Sequence, residues 1–334
     1  MFTLDNYIGN DHVKEEARIE IQASRRRQIK LANILVTGPA GSGKTHLIRA
    51  IGHEADIQVM NLNSPLVKSL FRDVIDQLPI DGQTRDTLIF GECIVFFDES
   101  HKLAGEIQDT MLKIQLEKTV YVEGIYYNLE KICWAYATTD PERMLAALRQ
   151  RCQLRFELRR YTIMEMGQIL LTLVLEDCGK LIQVAIPGEV AHYVAQRSRF
   201  IPRIGQQYME CIYNIARIIG DTPEQAVNVL TVDLAEEFFK RRKVTPQGLI
   251  PIDFDYLRCL DESRKPLGVK TIASQLDVND AEVSKNVEPF LRHLNLISFT
   301  KSGRELTTMG KDMLRKFDQR EYTREQLDDL VLLP

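Results

Sequence analysis

A glycine-rich segment, GPAGSGKT at residues 38–45, has the composition of a loop that binds phosphate. Glycines let the backbone curl so that successive N–H groups point at one phosphate, and a following helix adds the positive end of its dipole. Lys44 would bridge the β- and γ-phosphates of a nucleotide, and the Thr45 hydroxyl would bind Mg²⁺. On its own the segment could also be a chance glycine-rich turn. The predicted nucleotide contacts of this loop are Gly38, Pro39, Ala40, Gly41, Ser42, Gly43, Lys44, Thr45 and His46.

A second segment, CIVFFDESH, places two carboxylates at the end of an apolar strand. Asp98 would hold Mg²⁺ through water, and Glu99 would polarise the water that attacks the γ-phosphate. Packing alone does not explain the pair, because an unpaired carboxylate on a buried strand costs free energy. The two segments together predict an enzyme that hydrolyses ATP with Mg²⁺ as its cofactor, and not one that only binds nucleotide.

Polar residues farther along the chain could complete such a site. Thr138 and Thr139 end another apolar strand, where a hydroxyl could sense the γ-phosphate; a cap for the next helix is the alternative. In LRQR, Arg149 and Arg151 flank a helix end, and an arginine supplied to a neighbouring subunit could stabilise transition-state charge. Arg203 follows a proline in FIPR and could report the phosphate state. For all three arginines, a solvated helix end is the structural alternative.

The elements that would position these residues alternate along the first 160 residues. Apolar strands are predicted at 32–37, 93–97, 132–137 and 154–158, and helices at 11–30 and 45–53. This alternation is typical of an α/β fold with a mostly parallel sheet covered on both faces. Ligands bind beyond the carboxyl ends of the strands in such sheets, where the loop, the acidic pair and the threonines fall.

The character of the chain changes after residue 160. Helices are predicted at 162–178, 187–198, 202–219 and 231–242, which would form a small all-helical unit. A linker with Pro and Gly follows at 243–251, then three helices and a pair of strands at 296–300 and 304–307, and a helical tail at 319–334. The predicted domains are therefore 1–160, 161–245, 246–315 and the tail 316–334.

The pattern at 253–315 predicts a winged helix, which usually lays one helix in the major groove and a basic wing along the backbone. Its helix carries few side chains that read bases, so we expect phosphate contacts and little sequence readout. A winged helix that binds protein is the alternative. The candidate phosphate contacts are Lys285, Arg292, Lys301 and Arg304.

Composition narrows the class of protein. The net charge of the 334 residues is −4, so a nucleic-acid surface would have to be a local patch. No apolar run is long enough to span a membrane, and the N-terminus lacks the features of a signal peptide. The six cysteines are scattered, as expected for free thiols in a reducing compartment. We therefore expect a cytoplasmic protein.

Taken together, the motifs resemble the RuvB-type branch-migration ATPases, AAA+ proteins that act on Holliday junctions as hexameric rings. The resemblance implies an AAA+ P-loop core, a helical lid and a C-terminal winged-helix domain. It also implies that Tyr7 and Ile8 contact adenine, that Thr139 is the sensor-1 residue, that Arg151 is an arginine finger acting in trans, and that Arg203 is the sensor-2 arginine. The stretches that carry it are TLDNYIGNDHVKE, GPAGSGKT, FFDESHKL, ATTDPERM, LRQRCQLRF, FIPRIGQQ, KPLGVKTIASQL, NVEPFLRHLNLI and KSGRELT.

Three departures from the family pattern point to a diverged relative. The stretch LEKTVYVEGIYYNLEKICWA is shorter than in the family, where it holds a hairpin that grips a junction-binding partner protein. Ser302 replaces a second arginine in the wing, and Cys-Gln replaces an aromatic residue and glycine after Arg151. The resemblance implies a homo-oligomeric ring motor that migrates or remodels branched DNA in recombination and repair. An AAA+ switch that loads or recruits a partner protein on DNA, as clamp loaders and transposition regulators do, is the alternative.

Overall fold

The computed structural model describes residues 3–62, 78–84, 87–122, 124–177, 180–263 and 265–322. The described residues divide into two compact units, one within Met1–Leu173 and Phe200–Arg203 and one within Val174–Arg199 and Ile204–Pro334. Among the described residues, no helix combines the length and the apolar character needed to cross a membrane.

A parallel five-stranded sheet forms the centre of the first unit. The strands of the unit are β1 (Ile34–Thr37), β2 (Gln58–Leu62), β3 (Ile80–Gln83), β4 (Thr87–Phe90), β5 (Cys93–Phe97), β6 (Thr119–Val122), β7 (Ile125–Asn128), β8 (Ile132–Thr138) and β9 (Leu154–Glu157). Strands β2, β5, β8, β1 and β9 pair in that order, all parallel. Every residue of β5 and β8 is buried, which explains why both read as unbroken apolar runs in the sequence.

Helices cover both faces of this sheet. They are α1 (Asp11–Arg27), α2 (Lys44–Ala55), α3 (Gly105–Glu117) and α4 (Ala146–Gln150), and a further helix, α5 (Ile163–Leu171), follows the last strand of the sheet. Alternate residues of β1 enter different cores: Ile34 and Val36 pack with α1 and α2, and Leu35 packs with α3 and α4. The predicted α/β core, with its strands and first two helices, is confirmed to within a few residues at each end.

A second sheet in this unit was not predicted. Its strands pair in the order β3-β4-β7-β6, with β6 and β7 forming an antiparallel hairpin. Tyr121 and Tyr126 stand exposed on that hairpin with ring centroids 4.8 Å apart. Short strands with exposed side chains lack the apolar run on which the prediction of strands depended.

The second unit begins with a hairpin where a helix was predicted. The helix predicted at 162–178 is confirmed as far as Leu171, where α5 ends, and is wrong beyond it, because strands β10 (Val174–Asp177) and β11 (Lys180–Gln183) pair antiparallel. Leu173 and Leu175 are buried whereas Val174 is exposed, so the apolar period here is two and not 3.6.

The remaining helices of the predicted helical unit are α6 (Gly188–Arg197), α7 (Pro202–Ile219), α8 (Pro223–Val229) and α9 (Val232–Arg241). The predicted helix at 202–219 and the predicted cap at Thr231, whose hydroxyl accepts from Leu234 N at 3.3 Å, are confirmed. Helix α8 was missed, although Thr222, Pro223 and Gln225 form the capping box that marks its start.

The winged-helix pattern predicted near the C-terminus is confirmed. Its elements are α10 (Pro251–Ser263), α11 (Val269–Gln275), α12 (Asp280–Glu282), a π-helical turn (Val283–Val287), α13 (Glu288–His293), β12 (Ile297–Thr300), β13 (Gly303–Leu306) and α14 (Thr308–Tyr322). Strands β12 and β13 pair antiparallel and form the wing. Helix α14 carries the chain to Tyr322, and the rest of the predicted helical tail lies outside the described residues.

Candidate active site

The glycine-rich loop joins β1 to α2 at the carboxyl edge of the parallel sheet. Gly43 precedes α2 with φ of 89°, and a Cβ there would lie 2.9 Å from the Tyr7 hydroxyl oxygen. Only glycine therefore fits this position without displacing its neighbours. The backbone N–H groups at the start of α2 are then the expected phosphate contacts, because the N–H groups at a helix N-terminus have no partner within the helix.

Lys44 is the buried cation of the loop. Its side chain folds back so that Nζ donates to the carbonyl oxygens of Gly38 at 3.0 Å and Pro39 at 2.9 Å. Burial lowers the pKa of Lys44, and the nearby carboxylates of Glu99 and Asp98 oppose that effect. The ammonium group is thus held among loop oxygens, directly beside the acidic pair.

Thr45 and Asp98 meet where a magnesium ion would be needed. Thr45 Oγ1 donates to Asp98 Oδ2 at 2.8 Å, and Asp98 Oδ1 accepts from the backbone N–H of Glu99 at 2.9 Å. A hydroxyl and a carboxylate are oxygen ligands of the kind Mg²⁺ prefers. The residues present therefore fit the predicted ion.

Glu99 is held by neighbours that the sequence analysis did not identify. Its Oε2 lies 3.6 Å from His101 Nε2 and 3.6 Å from Lys102 Nζ. The buried His101 ring places Nδ1 3.0 Å from Thr138 Oγ1, and the same oxygen accepts a hydrogen bond from Asp140 N at 3.0 Å. His101 therefore connects the candidate base to the last residue of β8. The spacing in DESH was the only sequence signal for it.

The two threonines at the end of β8 differ in exposure. Thr138 is fully buried and its hydroxyl oxygen is occupied by His101 and Asp140. Thr139 is exposed, and its side chain makes no hydrogen bond to the part of the chain that the structure describes. Thr139 is thus the hydroxyl available to a phosphate, as the sensor-1 prediction requires.

The two arginines of the LRQR segment also differ in their contacts. Arg149 Nη1 lies 3.3 Å from Glu142 Oε1, so that side chain is paired within the subunit. Arg151 ends α4 and is partly exposed, and its guanidinium forms no hydrogen bond or ion pair with any described residue. Of the two, Arg151 is the one available to a neighbouring molecule.

Arg203 is the second residue of α7 and is exposed. Two residues before it, the Ile201 side chain packs on the glycine-rich loop, with Cγ2 2.7 Å from where a Cβ of Gly41 would lie. That contact brings the start of α7 to the loop, as the sensor-2 prediction requires.

The predicted adenine contact is built into the same region. Tyr7 is buried, and its hydroxyl donates to the Ser42 carbonyl oxygen at 3.3 Å. Burial and the neighbouring Tyr161 raise the pKa of Tyr7 well above its usual value, so it stays a neutral donor. Ile8 beside it is partly exposed. The side chain of Tyr7 supports the glycine-rich loop. The groups of this segment that could contact adenine are therefore the Ile8 side chain and the backbone.

The basic residues of the winged helix are not equivalent. Lys285 and Lys301 are exposed and form no ion pair with the described residues. The Arg292 guanidinium lies 5.2 Å from the centroid of the exposed Phe299 ring. Arg304 is already engaged, because Nε and Nη2 donate to the buried Glu288 carboxylate at 2.8 and 3.2 Å. A phosphate contact of Arg304 would have to share its guanidinium with Glu288.

Two parts of the chain match domains of one known protein family. Residues 2–158 match the Holliday junction DNA helicase RuvB P-loop domain, and residues 246–315 match the RuvB C-terminal winged helix domain. The chain belongs to the RuvB family. The Holliday junction branch migration complex subunit RuvB of Mycoplasma pneumoniae is 26% identical over 316 residues, covering 92% of this chain and 95% of that protein.

Two further comparisons agree with the assignment. RuvB of Kosmotoga olearia, another branch migration complex subunit, is 28% identical over 320 residues, covering 91% of this chain and 86% of that protein. The solved structure of the Thermotoga maritima RuvB Holliday junction branch migration motor aligns with a TM-score of 0.74 at 22% identity, covering 94% of this chain and 97% of that one. The RuvB fold predicted from the motifs is therefore confirmed. The division at residues 160, 245 and 315, and the individual roles of the RuvB site residues, stay predictions.

Proposed function

We propose that this RuvB-family chain is an ATP-driven motor that moves the branch point of Holliday-junction DNA. The observation that carries the proposal is the convergence of Lys44, Thr45, Asp98 and Glu99 at one edge of a RuvB P-loop domain. The same chain carries a RuvB winged helix, so a hydrolytic site and a DNA-binding module occur together.

The hydrolytic step follows from the positions of the side chains. Lys44 exchanges its bonds with the Gly38 and Pro39 carbonyls for contacts with the β- and γ-phosphates of ATP. Glu99 orients the attacking water and accepts its proton, while the buried His101 ring positions the carboxylate. Thr45 and Asp98 would hold Mg²⁺, which would supply positive charge to neutralise the phosphates.

The site is completed by a second copy of the chain. Arg151 has no partner among the described residues of its own subunit, and an arginine that reaches the γ-phosphate in trans is worth about 10³–10⁵ in rate. A head-to-tail interface of this kind produces a closed ring when the repeated rotation from one subunit to the next returns to the first subunit. We therefore propose a homo-oligomeric ring, with six subunits as the family resemblance implies. Within each subunit, Arg203 reports the phosphate state.

Contact with DNA is assigned to the exposed cations of the winged helix. Lys285, Arg292 and Lys301 lie on or next to the helix and the wing, and Arg304 would contribute by sharing its guanidinium with Glu288. Cations of this kind bind phosphates without reading the sequence. A local patch is consistent with the net charge of −4 for the whole chain.

A partner protein is proposed at the β6–β7 hairpin. Tyr121 and Tyr126 form an exposed aromatic pair there, and exposed aromatic surface is typical of protein interfaces. The relatives are named as subunits of a branch migration complex. We propose that a junction-binding protein docks on this hairpin.

The test is ATP hydrolysis and strand movement measured together on four-way, forked and linear DNA, with no partner added. We expect hydrolysis to rise most with the four-way junction, and the branch point to move. The matched control is Glu99→Gln, which should bind the same DNA and move nothing. Hydrolysis without branch movement on any substrate would contradict a motor and favour an ATPase that loads a partner on DNA.

A further inference from the structure

Asn33 is a buried amide that the predicted nucleotide chemistry does not use. It lies directly before β1 and is 7% exposed. The carboxyl end of the same short strand, Thr37, leads into the glycine-rich loop. Asn33 therefore sits at one end of the strand whose other end holds the phosphate loop.

All four hydrogen-bonding positions of this amide are filled. Oδ1 accepts from Lys30 Nζ at 3.0 Å and from Trp134 N at 3.1 Å. Nδ2 donates to Gln115 Oε1 at 3.2 Å and to the Arg151 carbonyl oxygen at 3.4 Å. Two donors face the oxygen and two acceptors face the nitrogen, which fixes the orientation of the amide.

Three contacts of Asn33 go to the segment that carries the predicted finger. Besides the bond from Nδ2 to the Arg151 carbonyl, the backbone N of Asn33 donates to Gln153 Oε1 at 3.2 Å, and its carbonyl accepts from Leu154 N at 3.1 Å. The partners on the other side are the backbone N of Trp134 on the buried strand β8 and the side chain of half-buried Gln115 on α3. Asn33 thus joins the Arg151 segment to β8 and α3 of its own subunit.

We propose that Asn33 is a positioning residue that fixes the backbone of Arg151, so that the finger is presented to the neighbouring subunit at a set place. The proposal rests on the trans role of Arg151 described above. Because Asn33 acts on the finger and not on the nucleotide of its own subunit, its loss damages the site next door. A purely structural amide would damage both.

Complementation between inactive variants separates these cases. Asn33→Asp keeps the volume and the oxygen that faces Lys30, but it turns a second oxygen toward the Arg151 carbonyl. Asn33→Ala removes the amide altogether. We expect both to lower turnover by about 10- to 100-fold, as a misplacement of about 1 Å does, and to leave ATP affinity unchanged.

Mixing then assigns the defect to a subunit. Either Asn33 variant mixed with Glu99→Gln should recover hydrolysis, because the intact finger of the second subunit serves the intact carboxylate of the first. Mixed with Arg151→Ala, the Asn33 variants should stay inactive, because neither partner supplies a working finger.

Cys133→Ala is the control for general destabilisation, since it empties a fully buried position on β8 whose Sγ lies 3.2 Å from the Ala32 carbonyl oxygen. It should lower the melting temperature and keep turnover. An Asn33 variant that folds but does not recover with Glu99→Gln, or that recovers with Arg151→Ala, would overturn the proposal. If Glu99→Gln and Arg151→Ala fail to recover each other, the shared site itself is wrong, and the inference falls with it.

Discussion

At the scale of single residues, the acidic pair divides two tasks between neighbouring carboxylates. Asp98 is tied to the Thr45 hydroxyl and to the backbone N–H of Glu99, so it is fixed in place. Glu99 has φ of 50°, and its carboxylate is 38% exposed, with His101 Nε2 and Lys102 Nζ each 3.6 Å from Oε2. The first arrangement suits an ion ligand, and the second suits a base that must reach a water.

Replacement of Glu99 by Gln tests the second task. The amide keeps the size of the side chain but cannot accept a proton, so turnover should fall by about 10²–10⁴-fold while ATP affinity is kept. The measurement is phosphate release beside a nucleotide-binding titration. Turnover near that of the unchanged protein would remove Glu99 from the role of base.

His101→Ala tests the link between Glu99 and β8. Without the ring the carboxylate loses its buried neighbour, and we expect kcat to fall about tenfold with KM for ATP little changed. Lys102→Ala is the matched control, because Lys102 approaches the same oxygen from a side chain that is 68% exposed, where ion pairs contribute little. Equal losses in the two variants would argue against a positioning role for His101.

The sequence allowed some of these residues to be predicted and not others, for a physical reason. A phosphate loop and a strand-end carboxylate pair use adjacent residues, so their spacing is visible in the chain. His101 meets Thr138 across 37 positions, and Asn33 meets Arg151 across 118, so neither contact has a local pattern. Thr139 and Arg151 were inferred from the family resemblance, and the structure adds that both side chains are available.

At the scale of elements, the wing depends on an ion pair between Arg304 and Glu288 that could not be predicted from the sequence. The Glu288 carboxylate is 4% exposed and receives two hydrogen bonds from Arg304 and one from the Tyr256 hydroxyl at 3.0 Å. The charge of Arg304 is thus used in holding the wing on α13. Only the three-dimensional contact distinguishes it from the free cations nearby.

Arg304→Ala should therefore destabilise the protein as well as weaken DNA binding. Removing one partner of a buried ion pair leaves the other unpaired, and we expect the free energy of unfolding to fall by about 3 kcal/mol. Urea denaturation of Arg304→Ala beside Lys301→Ala gives the comparison. An unchanged midpoint for Arg304→Ala would show that Glu288 does not need it.

Lys301→Ala should act on DNA alone. Lys301 lies exposed in the turn of the wing, so its loss should weaken binding to all sequences alike and reduce the salt dependence by about one phosphate contact. Binding isotherms at several salt concentrations provide the slope. A slope equal to that of the unchanged protein would place the DNA elsewhere.

The helices and strands that could be predicted are likewise those with a local sequence pattern. Strands buried on both faces, and the helices at 11–27, 44–55, 188–197 and 202–219, were predicted to within a few residues, whereas α8 was missed in spite of its capping box. Strand β10 was mistaken for the end of a helix because four of the six residues 171–176 are apolar, and such a run can satisfy either period. The sheet that includes β6 and β7 was missed because its strands are short and partly exposed.

At the scale of the whole molecule, we predict a nucleotide site that no single subunit completes. In the proposed ring, the phosphate loop, the acidic pair and Thr139 would come from one chain, and Arg151 would come from the next. ATP hydrolysis would then depend on assembly, because each subunit would contribute its arginine to the site of its neighbour. Such a division would let the ring pass the state of one nucleotide to the next subunit.

The most direct test mixes two inactive proteins, Glu99→Gln and Arg151→Ala, on four-way DNA and measures ATP hydrolysis. Each is expected to be inactive alone. In a random mixture, about one quarter of the interfaces join an intact carboxylate to an intact finger, so hydrolysis should return to a comparable fraction of the original rate. A mixture as inactive as its components would contradict a nucleotide site shared between subunits.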